Sequence, residues 1–307
     1  MKEEMTKRTI GVEIEFTGIT RNKASKVLSK YFNSEAYHYG QYYDEYHIRD
    51  DENRKWKLMF DGSIKPQKEE TYEFLDENTH SGKIRMCELV TPILTYKDVE
   101  TLIGLVTELS KAGAITNFSA GIHIHVGAEN FTVEKLKDLV NLMTSKEDLI
   151  YSALEVGEWR KKYCEKTNKE FLNKLNSNNP KTVEELSKIW YNSDHPEWNI
   201  NHHYDHSRYT HTNLHAYFTK GTIEFRLFNS TLNPILIKSY IQFVLAVIER
   251  VLTGNKAIKY KQTIIENGKY QMRSWLRQLG LNGEEYRDCR HTFLNKLKGD
   301  LANKSIA

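Results

Sequence analysis

An α+β fold resting on a mainly antiparallel sheet is the class this sequence predicts, and two observations carry the prediction. Segments with two-residue alternation occur at irregular intervals and do not alternate regularly with helical ones. Two of them, about His211 to Phe218 and Thr222 to Phe228, are joined through Lys220-Gly221, the mark of a hairpin.

The elements follow in order. Met1 to Arg8 is polar and leads into a strand over Thr9 to Thr17, where β-formers alternate with acids. Arg21 to Phe32 fits a short helix, and Tyr37 to His47 a strand pair or ordered loop around Gly40. Lys55 to Phe60 is a strand ending in the turn Asp61-Gly62-Ser63. Ile84 to Leu94 is another, with Pro92 suggesting an edge or bend. Val99, Leu102, Ile103, Val106 and Leu109 have helical spacing, stopped near Gly113. Ile122 to Val126 is a strand between Gly121 and Gly127. Thr132 caps a helix whose stripe is Val133, Leu136, Val140 and Met143. From about 155 to 200 the chain is polar and helical in pieces, with a Thr182/Glu185 capping box, and reads as an insertion. After the predicted hairpin, Asn233-Pro234 starts a helix to about Leu252, apolar almost all round and therefore buried. The stretch 256–307 reads as a basic helical extension.

Composition narrows the function classes. At 307 residues, 39% hydrophobic and 28% charged, the chain has the makeup of a soluble protein with a sizeable core. No apolar run approaches the roughly 20 residues that span a bilayer, and no secretory signal is seen. Cys87, Cys164 and Cys289 lack CxxC spacing, which argues against a disulfide framework or thiolate zinc site and fits a reducing cytoplasm. A net charge of +3 gives no reason to expect nucleic acid as a partner. Charge is uneven, with eleven Lys/Arg against five Asp/Glu from Lys256 onward, as expected of a solvated helical face or a surface for an anionic partner.

Three strands carry the chemistry. Glu13 and Glu15, His123 and His125, and Glu224 and Arg226 each stand two residues apart, so each pair projects from one sheet face. The residue between (Ile14, Ile124, Phe225) is apolar and points the other way. Asp61 follows one strand and Glu88 lies within another. Like charges gathered on one face repel, and are costly to desolvate. Hard divalent cations remove that cost, because Mg²⁺ or Mn²⁺ takes carboxylate oxygens and shares them with phosphates. Solvent-facing strand positions are the plain alternative for any one pair; three such pairs in one chain point to a metal-assisted phosphate site.

Gly11-Val-Glu-Ile-Glu-Phe16, Gly121-Ile-His-Ile-His-Val126 and Gly221-Thr-Ile-Glu-Phe-Arg226, followed by Asn233-Pro234, resemble signatures of the glutamine-synthetase and glutamate–cysteine ligase superfamily. Glu88-Leu-Val-Thr-Pro92, Arg208-Tyr209 and Asn213-Leu214 narrow the likeness to its amidoligase family. The resemblance covers about 8–130 and 205–252. It implies one catalytic domain over 1–307: a curved antiparallel sheet of the glutamine-synthetase catalytic type, helices on one face, and the helical insertion. It implies an ATP- and Mg²⁺- (or Mn²⁺-) dependent carboxylate–amine ligase acting through an acyl-phosphate on small-molecule or peptide substrates, in the cytoplasm. The superfamily often assembles through neighbouring subunits, so a homo-oligomer is compatible. Glu13, His123 and Glu224 would hold one metal; Glu15, Glu88 and Asp61 a second. His125 would sit by the nucleotide, and Arg226 and Arg208 would bind phosphate oxygens. Because an acyl-phosphate hydrolyses easily, 155–200 is a candidate lid.

Two other classes compete. One is a metal-dependent hydrolase using the same Glu/His face; the other is a non-catalytic binding descendant. ATP turnover separates both from a ligase. His202, His203, Asp205, His206, His211 and His215 form a dense run that reads as a second, zinc-like site or as a border of the main one. Tyr37, Tyr39, Tyr42, Tyr43 and Tyr46 read as a wall for the acceptor substrate or as strand packing and interface burial.

Overall fold

The computed structural model describes residues 3–301. Its strands are β1 (Ile10–Phe16), β2 (Ala36–Gly40), β3 (Glu45–Arg49), β4 (Lys55–Phe60), β5 (Cys87–Val90), β6 (Gly121–Gly127), β7 (Thr212–Asn213) and β8 (Thr222–Asn229). The backbone divides into two compact units. A sheet unit comprises Thr6–Ile124 and Phe228–Lys238. A helical unit comprises, among the described residues, His125–Leu227 and those from Ser239 onward, with the short stretch ending at Met5. The chain passes from one to the other within β6 and within β8.

In the sheet unit the strand order is β2-β3-β4-β5-β1, with the first half of β6 on the far side of β1. The β2–β3, β3–β4, β4–β5 and β1–β5 pairs are all antiparallel. The α+β class and antiparallel pairing predicted from sequence are therefore present. Register separates two faces. Ile14, Leu89, Leu58 and Tyr46 lie in one row across four strands, and the neighbouring positions Trp56 and Ile48 share their face. Trp56, Leu58, Ile48, Leu89 and Ile14 are fully buried, each contributing about 1.5–3 kcal/mol of transfer free energy. The helix Arg21–Phe32 covers this face over β3 and β4, burying Ala24, Leu28 and Phe32. Its start is fixed by the Thr20 hydroxyl, which accepts from the Lys23 N–H at 3.1 Å. Gly18, at φ +90°, turns the chain out of β1; a Cβ there would meet the Gly113 carbonyl oxygen at 2.5 Å.

The helical unit is built on the helix Val133–Leu154, capped by Thr132 as its sequence predicts. The insertion is helical, with segments Glu158–Lys161, Lys169–Asn178, Val183–Tyr191 and Pro196–Ile200, and the Thr182/Glu185 capping box is formed. Leu172 and Leu175 are buried, and Asn176 exchanges hydrogen bonds with Asn141 at 2.9 and 3.0 Å, docking the insertion onto Val133–Leu154. Pro234–Thr253 is helical, and its turns from Ser239 to Glu249 are buried. Gly268–Gln278 and Arg287–Leu294 cover it through Trp275 and Phe293, whose rings lie 5.5 and 4.3 Å from Phe243.

Four local readings are corrected. The segment read as a strand over His211 to Phe218 keeps only the two residues of β7; His215–Lys220 is a helix, because the Asn213 side chain accepts from the His215 N–H at 2.7 Å and Gly221 at φ +68° closes its end. The strand read over Ile84 to Leu94 is only Cys87–Val90. Ile84 caps the short helix His80–Lys83, and Pro92 lacks a donor for the ladder. In the extension, 256–267 is not helical. Glu3–Lys7 is a helical turn that the N-terminal sequence does not announce.

Candidate metal and phosphate site

In the sheet unit the acidic residues converge through strand register. Glu15 stands directly opposite Glu88 on the antiparallel β1–β5 pair, and Glu13 opposite Val90. From β6, His123 places Nδ1 3.0 Å from a Glu13 oxygen and Nε2 3.6 Å from a Glu15 oxygen. The Gly121 N–H donates to the other Glu15 oxygen at 2.7 Å. Asp61, just past β4, is held in a turn by the Ser63 N–H and hydroxyl, both 2.6 Å from one carboxylate oxygen. Two groups of three donors result, Glu13/Glu88/His123 and Glu15/Asp61/Glu88, each with ligand atoms within 4.8 Å of one another. Glu88 belongs to both. Like charges directly opposite on a sheet are destabilising unless something compensates them.

The donor chemistry of these groups fits a hard divalent ion: carboxylate oxygens with one imidazole nitrogen and no thiolate. Cys87 precedes Glu88, but alternation turns it to the covered face, where burial, only partly offset by the Arg21 guanidinium, pushes its thiol up to about 12. It stays a protonated core residue. Five of the predicted ligands, Glu13, Glu15, Asp61, Glu88 and His123, are thus brought together in one unit.

The helical unit holds the remaining predicted residues. On β8 the Arg226 guanidinium pairs with one Glu224 oxygen, while the Asn213 amide on β7 donates to the other at 2.7 Å. Arg226 is 4% exposed; its Nε donates to the Tyr163 carbonyl at 3.1 Å, and its own carbonyl accepts from Arg160 at 2.9 Å. The guanidiniums of Arg226 and Arg208 each lie 5.8 Å from the Tyr209 ring centroid, a favourable cation–π range. Arg208 also donates to the His203 carbonyl at 3.1 Å. His125 bonds Thr222 through Nδ1 at 3.0 Å and has Nε2 3.9 Å from Glu224. Sequence reasoning assigned no role to Asn213, Tyr163, Arg160 or Tyr209. The pairing of Asn213 with Glu224 was not readable from a turn at Lys220-Gly221, which would have set Phe228 opposite Asn213; Arg160 and Tyr163 lie some 60 residues upstream of Arg226 and carry no local signal.

The run of histidines does not share one centre. His211 is buried against Thr212 and Thr167, and His215 bonds the Tyr191 hydroxyl at 2.7 Å. His206 faces Glu165 at 3.7 Å, and Asp205 caps a turn through the Ser207 N–H. Among the described residues none of these six belongs to a group of donors close enough for an ion. Burial, opposed by the Asp205 charge, lowers the His215 pKa, so its imidazole is neutral near pH 7.

No curated protein matches this sequence. A solved structure titled a bifunctional glutathione synthetase from Pasteurella multocida aligns with 94% of this chain at 13% identity and a TM-score of 0.42; this chain spans 47% of that one. The family described as "Putative amidoligase enzyme" matches residues 6–248, and the chain belongs to it. The likeness of its strand motifs to the amidoligase family is thereby borne out. Among the described residues no helix is long and apolar enough to cross a membrane.

Proposed function

We propose, with that family membership as premise, that the protein is an ATP- and divalent-metal-dependent ligase that forms amide bonds through an acyl-phosphate, on a sheet of the glutamine-synthetase catalytic type. The observation that carries the reading is the pair of three-donor groups sharing Glu88. A hydrolase or a binding descendant gains no comparable support from it once family is considered.

Bound ATP and Mg²⁺ or Mn²⁺ would supply the chemistry the chain lacks, a transferable phosphoryl group and charge neutralisation, making an unreactive carboxylate open to attack by an amine. Glu13, Glu15, Asp61, Glu88 and His123 would hold the cations. Glu224 engages Arg226 and Asn213, yet a carboxylate has about four lone-pair sites, so it retains capacity to serve as the further predicted ligand. Arg226 and Arg208 would grip phosphoryl oxygens, and His125 would face the nucleotide. Arg226 is pre-oriented by Glu224 and the Tyr163 carbonyl, so little reorganisation is needed as charge develops.

The test is Mg²⁺-dependent release of ADP and phosphate across a panel of carboxylates and amines, comparing the parent with Arg226→Lys. Lysine keeps the charge and loses the planar fork. Turnover should fall about 10²–10³-fold, with nucleotide affinity changed much less. A Lys variant within threefold of the parent would remove Arg226 from the chemistry, and absence of any Mg²⁺-dependent ADP release across the panel would sink the ligase assignment.

A further inference from the structure

The face of the sheet that bears Glu13, Glu15 and Glu88 does not stop at those strands. Register extends it outward. Val90 faces Lys57, Lys57 faces His47, and His47 faces Tyr37. Two residues along the strands, Glu88 faces Met59; two residues the other way, Arg49 faces Lys55. Burial obeys the same parity. On β3 and β4 the covered-face residues Tyr46, Ile48, Trp56 and Leu58 are buried, while Glu45, His47, Lys57 and Met59 are half-buried and Arg49 and Lys55 exposed. At the rim Tyr37 and Tyr39 are each 56% exposed, and the Tyr39 ring lies 4.2 Å from that of His47. The face is thus graded: carboxylates at β1 and β5, an apolar divide of Val90 and Met59, a basic strip of Lys55, Lys57, Arg49 and His47 tempered by Glu45, and an aromatic rim.

The hairpin bearing the rim is tied down from the opposite side. Arg21, 3% exposed, donates through Nε to Asp44 at 3.0 Å and through Nη1 to the Met86 carbonyl at 3.0 Å, and Asp44 also meets His38 at 2.6 Å. Burial alone would raise the Asp44 pKa; the hydrogen bonds from His38 and Arg21 lower it instead, so the clamp is charged at neutral pH. Two exposed cations, the half-buried Lys57 and two exposed tyrosines are therefore presented on a surface that core packing does not require.

We infer that this outer face is the binding platform for an extended acidic peptide, which lies across β4, β3 and β2 and delivers a carboxylate toward Glu13, Glu15 and Glu88. The inference rests on the ligase reading for the reaction but not for the binding. Charge complementarity selects the occupant. The basic strip attracts carboxylates, and the tyrosine rim takes the apolar parts of a peptide and its amides. Strands lie about 4.8 Å apart, so three steps from β5 to β2 span roughly 14 Å, the reach of about four extended residues.

The experiment is fluorescence anisotropy with labelled oligoglutamates of two to six residues, with pentaglutamine and a single-stranded hexanucleotide as controls, at physiological salt. Proteins are the parent, Tyr37→Ala/Tyr39→Ala and Lys55→Ala/Lys57→Ala, with melting and sedimentation run on each. Affinity should rise with length and level off near four or five residues, and pentaglutamate should bind about tenfold tighter than pentaglutamine, a difference of about 1.4 kcal/mol. Each double variant should lose about fivefold or more while melting as the parent and binding Mg²⁺ with an ATP analogue within twofold. Equal binding of pentaglutamine, tighter binding of the oligonucleotide, or unchanged affinity in both variants would overturn the platform. So would tyrosine variants that alter only the oligomeric state, marking the rim as a subunit contact, or lysine variants that lose nucleotide, marking the strip as a phosphate site. A parent that binds acidic peptides but no Mg²⁺-nucleotide would uphold the platform and remove the ligase reading.

Discussion

The two units each hold a set of buried charges, and they handle the charge in opposite ways. In the helical unit Glu224 is compensated from within, by Arg226 and by the Asn213 amide. In the sheet unit Glu15 and Glu88 face one another across a strand pair, with Glu13 nearby and His123 as the neighbouring nitrogen donor. In the first arrangement the carboxylate is already paired with a guanidinium. The second concentrates like charge and gains from a cation supplied from outside. The contrast teaches that strand pairs with the same two-residue spacing do different work, and that the work is set by the neighbours each carboxylate meets on its own strand and across the sheet.

Substitutions should therefore act with opposite sign in the two places. Glu224→Ala takes the compensating carboxylate from a buried guanidinium, and loss of one partner of a buried pair costs about 3–5 kcal/mol. Urea unfolding without metal should show that loss; a change below about 1 kcal/mol, at the level of a surface pair, would mean that Arg226 is adequately held by Tyr163 and Tyr209. Glu88→Gln keeps shape and relieves repulsion against Glu15, so the metal-free protein should become more stable by a few tenths to about 1 kcal/mol. If that variant is instead destabilised by as much as Glu224→Ala, the two regions do not differ as argued.

These contrasts were only partly legible in the sequence. The paired motifs Glu13/Glu15, His123/His125 and Glu224/Arg226 could be read because period-two alternation with an apolar residue between them is a local signal. The convergence of Asp61 with Glu15 and Glu88 depends on β4 pairing with β5 and β5 with β1, a register that no single strand announces. The helix His215–Lys220 was missed because the adjacent Tyr217 and Phe218 are strand formers; the Asn213 side chain, accepting from the His215 N–H, and the left-handed Gly221 override that pattern. Tyr37 and Tyr39 were visible as a cluster, but only pairing with β3 puts them on the same face as the acidic residues. Arg160 and Tyr163, which brace Arg226, are set by tertiary packing alone.

The central claim is that the carboxylate face of the sheet unit is a divalent-cation centre organised on Glu88. Counting bound Mn²⁺ by electron paramagnetic resonance, with an ATP analogue present, tests it directly in the parent and in Glu88→Gln. Because Glu88 belongs to both donor groups, the parent should bind two ions, and the single substitution should weaken both by about tenfold or more. Equal stoichiometry and affinity in the two proteins, or no Mn²⁺ bound by the parent, would contradict the account.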